Sequence, residues 1–507
     1  MLHHLVKAAA RRTPEAPAVH APDGQLRYAE LDAGADRAGR ALAALGVVAG
    51  DRVGIWLDKS VDAVVAMQGV LRLGAAYVPI DPLIPAARAA RLLTDCDARM
   101  VVTTPRRTAA LRAAGSDTVV LSTGARDAGP SWATAAARSA EALPEPDITL
   151  DDPAYLLYTS GSTGEPKGVC LSHRNALAFV EWAAGELAAA PSDRFANHAP
   201  FHFDLSVLDL YVAFGAGASV HLIPPEASYA PGALVDFLVE REITVWYSVP
   251  SVLVLMMRSG QLLSTGAPSL RLLLFAGEPF PVNQLRALRA LWPKVRFLNL
   301  YGPTETNVCT WQEVGDLPPD HTAPVPIGRA CSGDEVWAEH DDGRRAGPGE
   351  EGELVVRGPS VMLGYWGHEP QGDRPYRTGD LVQVLDDGRY RYLGRRDTMV
   401  KLRGFRVELG EVEAVLHSHP ALAEAAVVVV GTGMDTRLVA FGVRAGERPP
   451  TLLELKRHCA EQLPRHMIVD GLRLLHRLPL TRNGKVDRPT LAAWALLPAD
   501  GLPPNDR

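Results

Sequence analysis

Residues Ala154–Gly168 read AYLLYTSGSTGEPKG, an apolar strand-like run followed by a loop with three glycines, four hydroxyl residues and one lysine. Glycines let backbone N–H groups approach phosphate oxygens, the hydroxyls of Thr159, Ser160, Ser162 and Thr163 add donors, and Lys167 adds charge. The order is not that of a Walker loop, where a lysine followed by Ser or Thr comes directly after the last glycine. Outward from this stretch, short apolar runs alternate with longer helical patterns. DRVGIWLD (from Asp51), ARMVVTT (from Ala98), DTVVLS (from Asp117), ASVHLIP (from Ala218), ITVWYSVP (from Ile243) and LRLLLFAG (from Leu270) read as buried strands. HRNALAFVEWAAGELA (from His173) and PVNQLRALRALWP (from Pro281) carry apolar residues at helical spacing. This alternation predicts an α/β fold with parallel sheets covered on both faces.

After about Cys331 the texture changes. DEVWAEHDDGR, GELVVRG and LVQVLDDGRYRYLGR alternate with a period of two, and Asp387-Gly388 marks a hairpin turn, so additional antiparallel β is expected over about 331–396. From Thr398 a compact α+β segment follows: MVKLRGFRVEL, a helix from Gly410, the strands AAVVVVG and RLVAFGV, and a helix from Thr451. The shifts predict a large N-terminal domain, 1–396, and a smaller C-terminal domain, 397–507, ending in a frayed tail, PADGLPPNDR.

Composition narrows the function. The chain has 507 residues, 52 basic and 59 acidic, and 47% hydrophobic content. Bulk disorder is excluded, and a net charge of −7 offers no general attraction to nucleic acid or anionic lipid. Five scattered cysteines show neither metal-ligand spacing nor a disulfide framework. The longest uncharged apolar run, Ile243–Met257, contains Tyr247, Ser248 and Pro250 and is shorter than the ~20 residues a membrane span needs. The start, MLHHLVKAAARRTPEAPA, lacks the apolar core of a secretion signal. A soluble cytoplasmic protein is expected, with no nucleic-acid and no membrane partner. Lysine is scarce, seven residues against 45 arginines, and Lys167, Lys401 and Lys485 all fall in motifs.

NLYGPTE, Asn299–Glu305, ends a strand-like run. A Gly-Pro turn there would hold Tyr301, Thr304 and Glu305 at the carboxyl end of a parallel sheet, where open α/β folds bind ligands. In that setting Glu305 suits a Mg²⁺ or nucleotide role better than that of a solvated carboxylate. YRTGDL, Tyr376–Leu381, offers Asp380, which could accept two ribose hydroxyls or simply make an Asp-Gly-type turn. GRRDTMVKLRGFRVELGEVE (from Gly394) and LTRNGKVDR (from Leu480) complete the set, with Lys485 as a reaching cation on an Asn-Gly turn.

Together these segments resemble the adenylate-forming superfamily, and within it the amino-acid adenylation domains of nonribosomal peptide synthesis. LRYAEL (from Leu26), LRLGAAYVPIDP (from Leu71), the phosphate loop, FDLS (Phe203–Ser206), NLYGPTE, GELVVRG with GYW at Gly364, YRTGDL, the GRRD segment, LPRHM (from Leu463) and NGKVDR follow the superfamily's order over almost the whole chain. FAGEP at Phe275 departs from it, since many members carry a second glycine there.

The resemblance implies a large N-terminal and a small mobile C-terminal domain. A carboxylate attacks the α-phosphate of ATP, pyrophosphate leaves, and a pantetheine thiol takes the acyl group from the adenylate. It implies that Thr159, Ser160, Gly161, Ser162, Thr163 and Gly164 hold the β- and γ-phosphates with Lys167 assisting. It also implies that Glu305 binds Mg²⁺, that Asn299, Tyr301, Gly302, Thr304 and Tyr392 border the nucleotide, that Asp380 binds the ribose, and that Arg395 contacts ribose or phosphate. Lys485 would bridge substrate carboxylate and α-phosphate, Asp397 would be the hinge, and Lys401 with Gly404 would form the thiolation face. The cofactors implied are ATP and Mg²⁺. No carrier-protein attachment site or condensation motif follows NGKVDR, so the partner expected is a separate phosphopantetheinylated carrier protein.

The family's specificity positions transfer to Asp204, Leu205, Leu208, Tyr247, Leu274, Ala276, Leu300, Val308, Cys309 and Lys485. Between the two ends that grip ammonium and carboxylate, this lining is apolar with one phenol and one thiol. A charged or amide side chain would lack a partner there and cost several kcal/mol to bury. The lining resembles that of ligases loading L-proline onto a carrier protein at the start of pyrrole-2-carboxyl formation. FDLSVLDLY also resembles D-alanine–carrier protein ligases, the runner-up. An acyl- or aryl-CoA synthetase is opposed by Asp204, a pocket carboxylate that asks for a cation such as an α-ammonium.

Overall fold

The computed structural model describes residues 1–123, 143–161, 165–258, 261–396, 399–402, 404–431, 435–480 and 486–498. It divides into two compact units. One comprises Met1–Pro82, Leu92–Tyr158 and Gly168–Arg396; the other comprises Leu83–Arg91, Thr159–Lys167 and Asp397–Arg507.

The first unit is built on two large, mainly parallel sheets. A nine-stranded sheet has the order Arg329–Ala330, Thr310–Glu313, Arg296–Tyr301, Leu272–Phe275, Val245–Ser248, Arg194–Asn197, Ser219–Leu222, Pro17–Ala21, Gly24–Arg27. A seven-stranded sheet runs Gly364–Tyr365, Lys167–Ser172, Pro153–Thr159, Ala76–Pro79, Arg52–Trp56, Met100–Thr103, Val119–Ser122. All six runs read as buried strands are strands of these sheets. The register shows why they are mostly apolar. Tyr247, Leu274 and Leu298 lie abreast on parallel strands and share one core, while Trp246, Leu273 and Phe297 lie abreast and share another. A sheet buried on both faces favours apolar residues at consecutive positions, and polar exceptions pair within it, as Ser219 does with His221 at 3.0 Å.

The two expected helices form as His173–Glu186 and Val282–Leu291. The first begins at Ser172, whose Oγ accepts from the Asn175 N–H (3.1 Å) while Asn175 Oδ1 accepts from the Ser172 N–H (2.8 Å), a reciprocal cap. A separate four-stranded antiparallel sheet joins Glu335–Glu339, Glu351–Arg357, Tyr376–Val384 and Tyr390–Arg395. Its last hairpin turns at Asp387-Gly388, where Gly388 takes a φ of 79° and the Leu385 N–H reaches the Arg389 carbonyl at 2.8 Å.

The second unit has an α+β core of its own. Met399–Leu402 pairs antiparallel with Phe405–Glu408, and Leu422–Val430, Arg437–Arg444 and Gly471–Leu475 form a three-stranded sheet. Helices Leu409–His417 and Leu452–Ala460 cover it through Val412, Leu416, Leu455 and Cys459, which pack on Val427, Leu438 and Ala440. Thr451 caps the second helix with Glu454 as its reciprocal partner. The tail from residue 499 lies outside the described residues. No helix among the described residues is long and apolar enough to cross a membrane.

Candidate active site

The strand Arg296–Tyr301 delivers Asn299 and Tyr301 at the carboxyl end of the parallel sheet, and a single 3₁₀ turn, Thr304–Thr306, follows the Gly302-Pro303 bend. Glu305 in that turn is fully buried. Its Oε1 accepts from the Tyr365 hydroxyl at 2.7 Å, and its carbonyl accepts from the Met362 N–H at 2.8 Å. A hydroxyl donating to one oxygen of a buried carboxylate fixes the direction in which the group points. The bend needs glycine: a Cβ on Gly302 would lie 1.6 Å from the Asn307 carbonyl oxygen. Asn307 takes φ 55° and ψ −126°, a strained conformation for a residue with a side chain.

Opposite Tyr301 lies Asp380, buried on the strand Tyr376–Val384. Arg395 Nη1 donates to its Oδ1 at 2.7 Å and to the Thr378 carbonyl at 3.1 Å, while the Tyr301 hydroxyl donates to Oδ2. Both carboxylate oxygens are therefore engaged. Burial foremost, then the Asp380 charge, pushes the Tyr301 phenol far up, so Tyr301 acts as a donor. The Tyr392 ring lies 6.3 Å from that of Tyr301, and Asn299 Nδ2 donates to the Pro326 carbonyl at 2.9 Å.

Most of the residues expected to line the pocket come together on one side of the nine-stranded sheet. Asp204 opens a helical stretch, Leu205–Ala216, whose middle, Leu208–Val212, widens to a π-helix, a local underwinding that often accompanies binding sites. Leu208, Tyr247, Leu274, Ala276, Leu300 and Val308 share one buried cluster, and Leu205 packs against it. Burial first, then the charges of Asp204 and Asp209 and the thiol of Cys331, push the Tyr247 phenol far up, so it is neutral at any physiological pH. Cys309 does not join this cluster. It packs with Tyr301, Ile327 and Val382 beneath the antiparallel sheet, its Sγ 3.7 Å from the Tyr301 carbonyl. Cys331 packs in the pocket cluster instead, donating to the Val308 carbonyl at 3.4 Å.

The remaining expected residues belong to the second unit. Within it, Ser160 Oγ donates to the Arg406 carbonyl at 3.0 Å and accepts from the Glu408 N–H at 3.1 Å. Gly161 sits where a Cβ would lie 2.0 Å from the Glu165 carbonyl oxygen. Thr159 and Lys167 flank the loop, Lys401 pairs with Arg406 across the hairpin, and Gly404 turns it with a φ of 85°. Ser162, Thr163, Gly164, Asp397 and Lys485 lie outside the described residues.

Comparison with known proteins gives the family. Residues 6–366 match the AMP-binding enzyme family, and residues 411–485 match the AMP-binding enzyme C-terminal domain. The chain belongs to the AMP-binding enzyme family. An L-proline–[L-prolyl-carrier protein] ligase of Pseudomonas fluorescens is 50% identical over 495 residues, which cover 97% of this chain and 99% of that protein. A protein of the same description from Streptomyces coelicolor is 44% identical over 489 residues, 91% of each. Among solved structures, o-succinylbenzoate CoA synthetase (MenE) from Bacillus subtilis superposes with a TM-score of 0.82 at 24% identity, over 96% of this chain and 98% of its own. At that identity the likeness speaks for the fold.

Several groups around the site of this AMP-binding enzyme were not singled out by sequence reasoning. Tyr365 stood inside the GYW segment without a role. Tyr77, Tyr155 and Tyr211 line up behind the pocket: Tyr77 and Tyr155 stack at 5.3 Å, the Tyr211 hydroxyl donates to that of Tyr77 at 3.0 Å, and Asn307 Nδ2 donates to Tyr155 at 3.4 Å. Lys59, one of the seven lysines, donates to the carbonyls of Asn197 (2.7 Å) and His198 (2.8 Å). Burial brings its ammonium down to about 7, against the pull of Asp209. Asp209 is itself pushed up by burial and accepts from Asn197 Nδ2 at 3.1 Å. Scarcity of lysine was the one available hint, and it could not say which lysine would be buried.

Proposed function

We propose that this enzyme activates L-proline with ATP and passes the prolyl group to the phosphopantetheine thiol of a separate carrier protein. One observation carries the reading. An apolar cluster of Leu208, Leu274, Ala276, Leu300 and Val308 closes around the neutral Tyr247 with Asp204 beside it, in a chain 50% and 44% identical to two proteins described as L-proline ligases. A protonated secondary amine keeps two N–H donors for Asp204, and a compact ring fits leucine walls narrowed by a phenol. A charged or amide side chain would lose its hydration there without a partner.

In the first half-reaction a proline carboxylate oxygen attacks the α-phosphorus of ATP and pyrophosphate leaves. In the second, the carrier thiol attacks the prolyl carbonyl and AMP leaves. Such chemistry asks mainly for positioning and neutralisation of charge. We assign Asp380, set by Arg395 and Tyr301, to the ribose, and Asn299, Tyr301, Gly302, Thr304 and Tyr392 to the rest of the nucleoside. The loop Thr159–Gly164 with Lys167 takes the phosphates. Glu305 fits a Mg²⁺ ligand, because its hard carboxylate is buried and oriented by Tyr365. Mg²⁺ bound there with ATP would offset phosphate charge. We assign Lys485 to the substrate carboxylate and α-phosphate, Asp397 to a hinge at the start of a C-terminal domain 397–507, and Lys401 with Gly404 to the thiol-transfer face. Cytoplasmic residence belongs to the same proposal.

Amino-acid-dependent ATP–pyrophosphate exchange tests it. L-Proline should drive exchange most strongly, with leakage to other small apolar amino acids, because apolar pockets discriminate by only about 1–3 kcal/mol per methylene. Stronger exchange with D-alanine would overturn the substrate assignment, and exchange with an amine-free acid would overturn the role of Asp204.

A further inference from the structure

A second cluster of ligating side chains lies where the N-terminal helix, His3–Arg12, meets the segment before the strand Pro153–Thr159. His3 Nε2 and His4 Nε2 each lie 3.5 Å from the same oxygen, Glu145 Oε2. One donor atom from each of the three residues falls within 4.8 Å of the others. The His3 side chain is 1% exposed, yet among the described residues neither of its ring nitrogens has a hydrogen-bond partner. A buried polar group left unpaired is costly, and native structures rarely keep one without a reason.

We propose that His3, His4 and Glu145 bind a zinc ion. Bonds of 2.0–2.1 Å in a tetrahedral site put neighbouring ligand atoms about 3.3–3.4 Å apart, and the two His–Glu145 separations of 3.5 Å need little adjustment to meet that. Two imidazoles and a carboxylate favour a borderline transition ion over Mg²⁺, which takes oxygen ligands, so the site is chemically distinct from Glu305. Lys7 hydrogen-bonds Glu145 Oε1 and leaves Oε2 facing the histidines, an outer partner that orients the ligand. His173 is not a fourth ligand: its Nδ1 accepts from the Leu2 N–H at 3.2 Å, so its proton sits on Nε2. The fourth position is left for water. The ion would clamp the N-terminal helix, whose Leu2, Val6 and Ala9 enter the main core, to the chain around Glu145.

The test is zinc chloride titrated into the chelator-treated full chain carrying no polyhistidine tag, followed by calorimetry and thermal melting. His4→Ala and Glu145→Gln are the variants of choice, because both side chains are more than half exposed and their loss leaves the core intact. The wild type should take one equivalent of zinc at micromolar affinity or tighter and melt at a higher temperature with it. Each variant should bind at least tenfold more weakly and lose the shift in melting temperature. Pyrophosphate exchange without added zinc should be the same in all three. Absence of stoichiometric binding by the wild type overturns the site, as does wild-type affinity in either variant.

Discussion

Replacing Gly302 with alanine drives a methyl group into the backbone that follows the Glu305 turn. The new Cβ would stand 1.6 Å from the Asn307 oxygen, 2.7 Å from its carbonyl carbon and 3.0 Å from the Val308 Cα. The oxygen must retreat by about 1.4 Å merely to reach 3.0 Å, a separation below which Cβ contacts are essentially absent. No flexible side chain can absorb this, because every atom met is backbone. The segment that moves carries Glu305 on one side and Val308 on the other, so nucleotide and amino-acid ends are displaced together. A misplacement of about 1 Å costs on the order of 10²-fold in rate, equivalent to about 2.7 kcal/mol of transition-state stabilisation. The kcat/KM for L-proline in ATP–pyrophosphate exchange should therefore fall about 100-fold or more, with the circular dichroism spectrum unchanged. Gly315→Ala is the control, since a Cβ there meets nothing within 4 Å, and it should stay within threefold of wild type. Near-wild-type exchange by Gly302→Ala would refute the placement of the turn at the reacting centre.

Asp380→Asn should raise the KM for ATP far more than that for L-proline, because it weakens the carboxylate shared by Arg395 and Tyr301. Hydrogen bonds to a charged group contribute about 1.5–3 kcal/mol each, so a drop in kcat/KM for ATP of about 10- to 100-fold is expected, and equal effects on both substrates would count against the ribose assignment. Lys59 supplies a stability test. Its folded pKa of about 7 lies below the ordinary 10.5, so from about pH 7 to 10.5 the unfolded chain holds the extra proton and folding gains stability as pH rises. Melting temperatures of wild type and Lys59→Met, compared from pH 6.5 to 9.5, should move in favour of the wild type with rising pH; a difference that stays constant would show that Lys59 titrates normally.

The strands of the parallel sheets were legible from local pattern, since a segment buried on both faces is mostly apolar along its length, as Leu272–Phe275 is. So was the hairpin turn at Asp387-Gly388, because Gly388 supplies a conformation that side chains resist. The pocket was legible only in part. Position along a motif placed Cys309 in its wall, but Cys309 packs in the antiparallel core with Tyr301, while Cys331, reached by a later crossing of the chain, packs in the cluster of Tyr247 and Leu274.

What the amino-acid order determined by itself was whatever depends on near neighbours: helix caps such as Ser172 with Asn175, the period of burial, and the tight bend at Gly302. What only the tertiary structure decided was which distant group completes each functional side chain. Tyr365 steers Glu305 from 60 residues away, and Tyr301 reaches Asp380 across 79. His3 meets Glu145 only because the N-terminal helix lies beside that segment of the chain. The physical reason is range. Backbone sterics and side-chain periodicity act over a few residues, whereas a buried polar atom is satisfied by whatever the folded chain brings within about 3 Å, and no local pattern records that meeting.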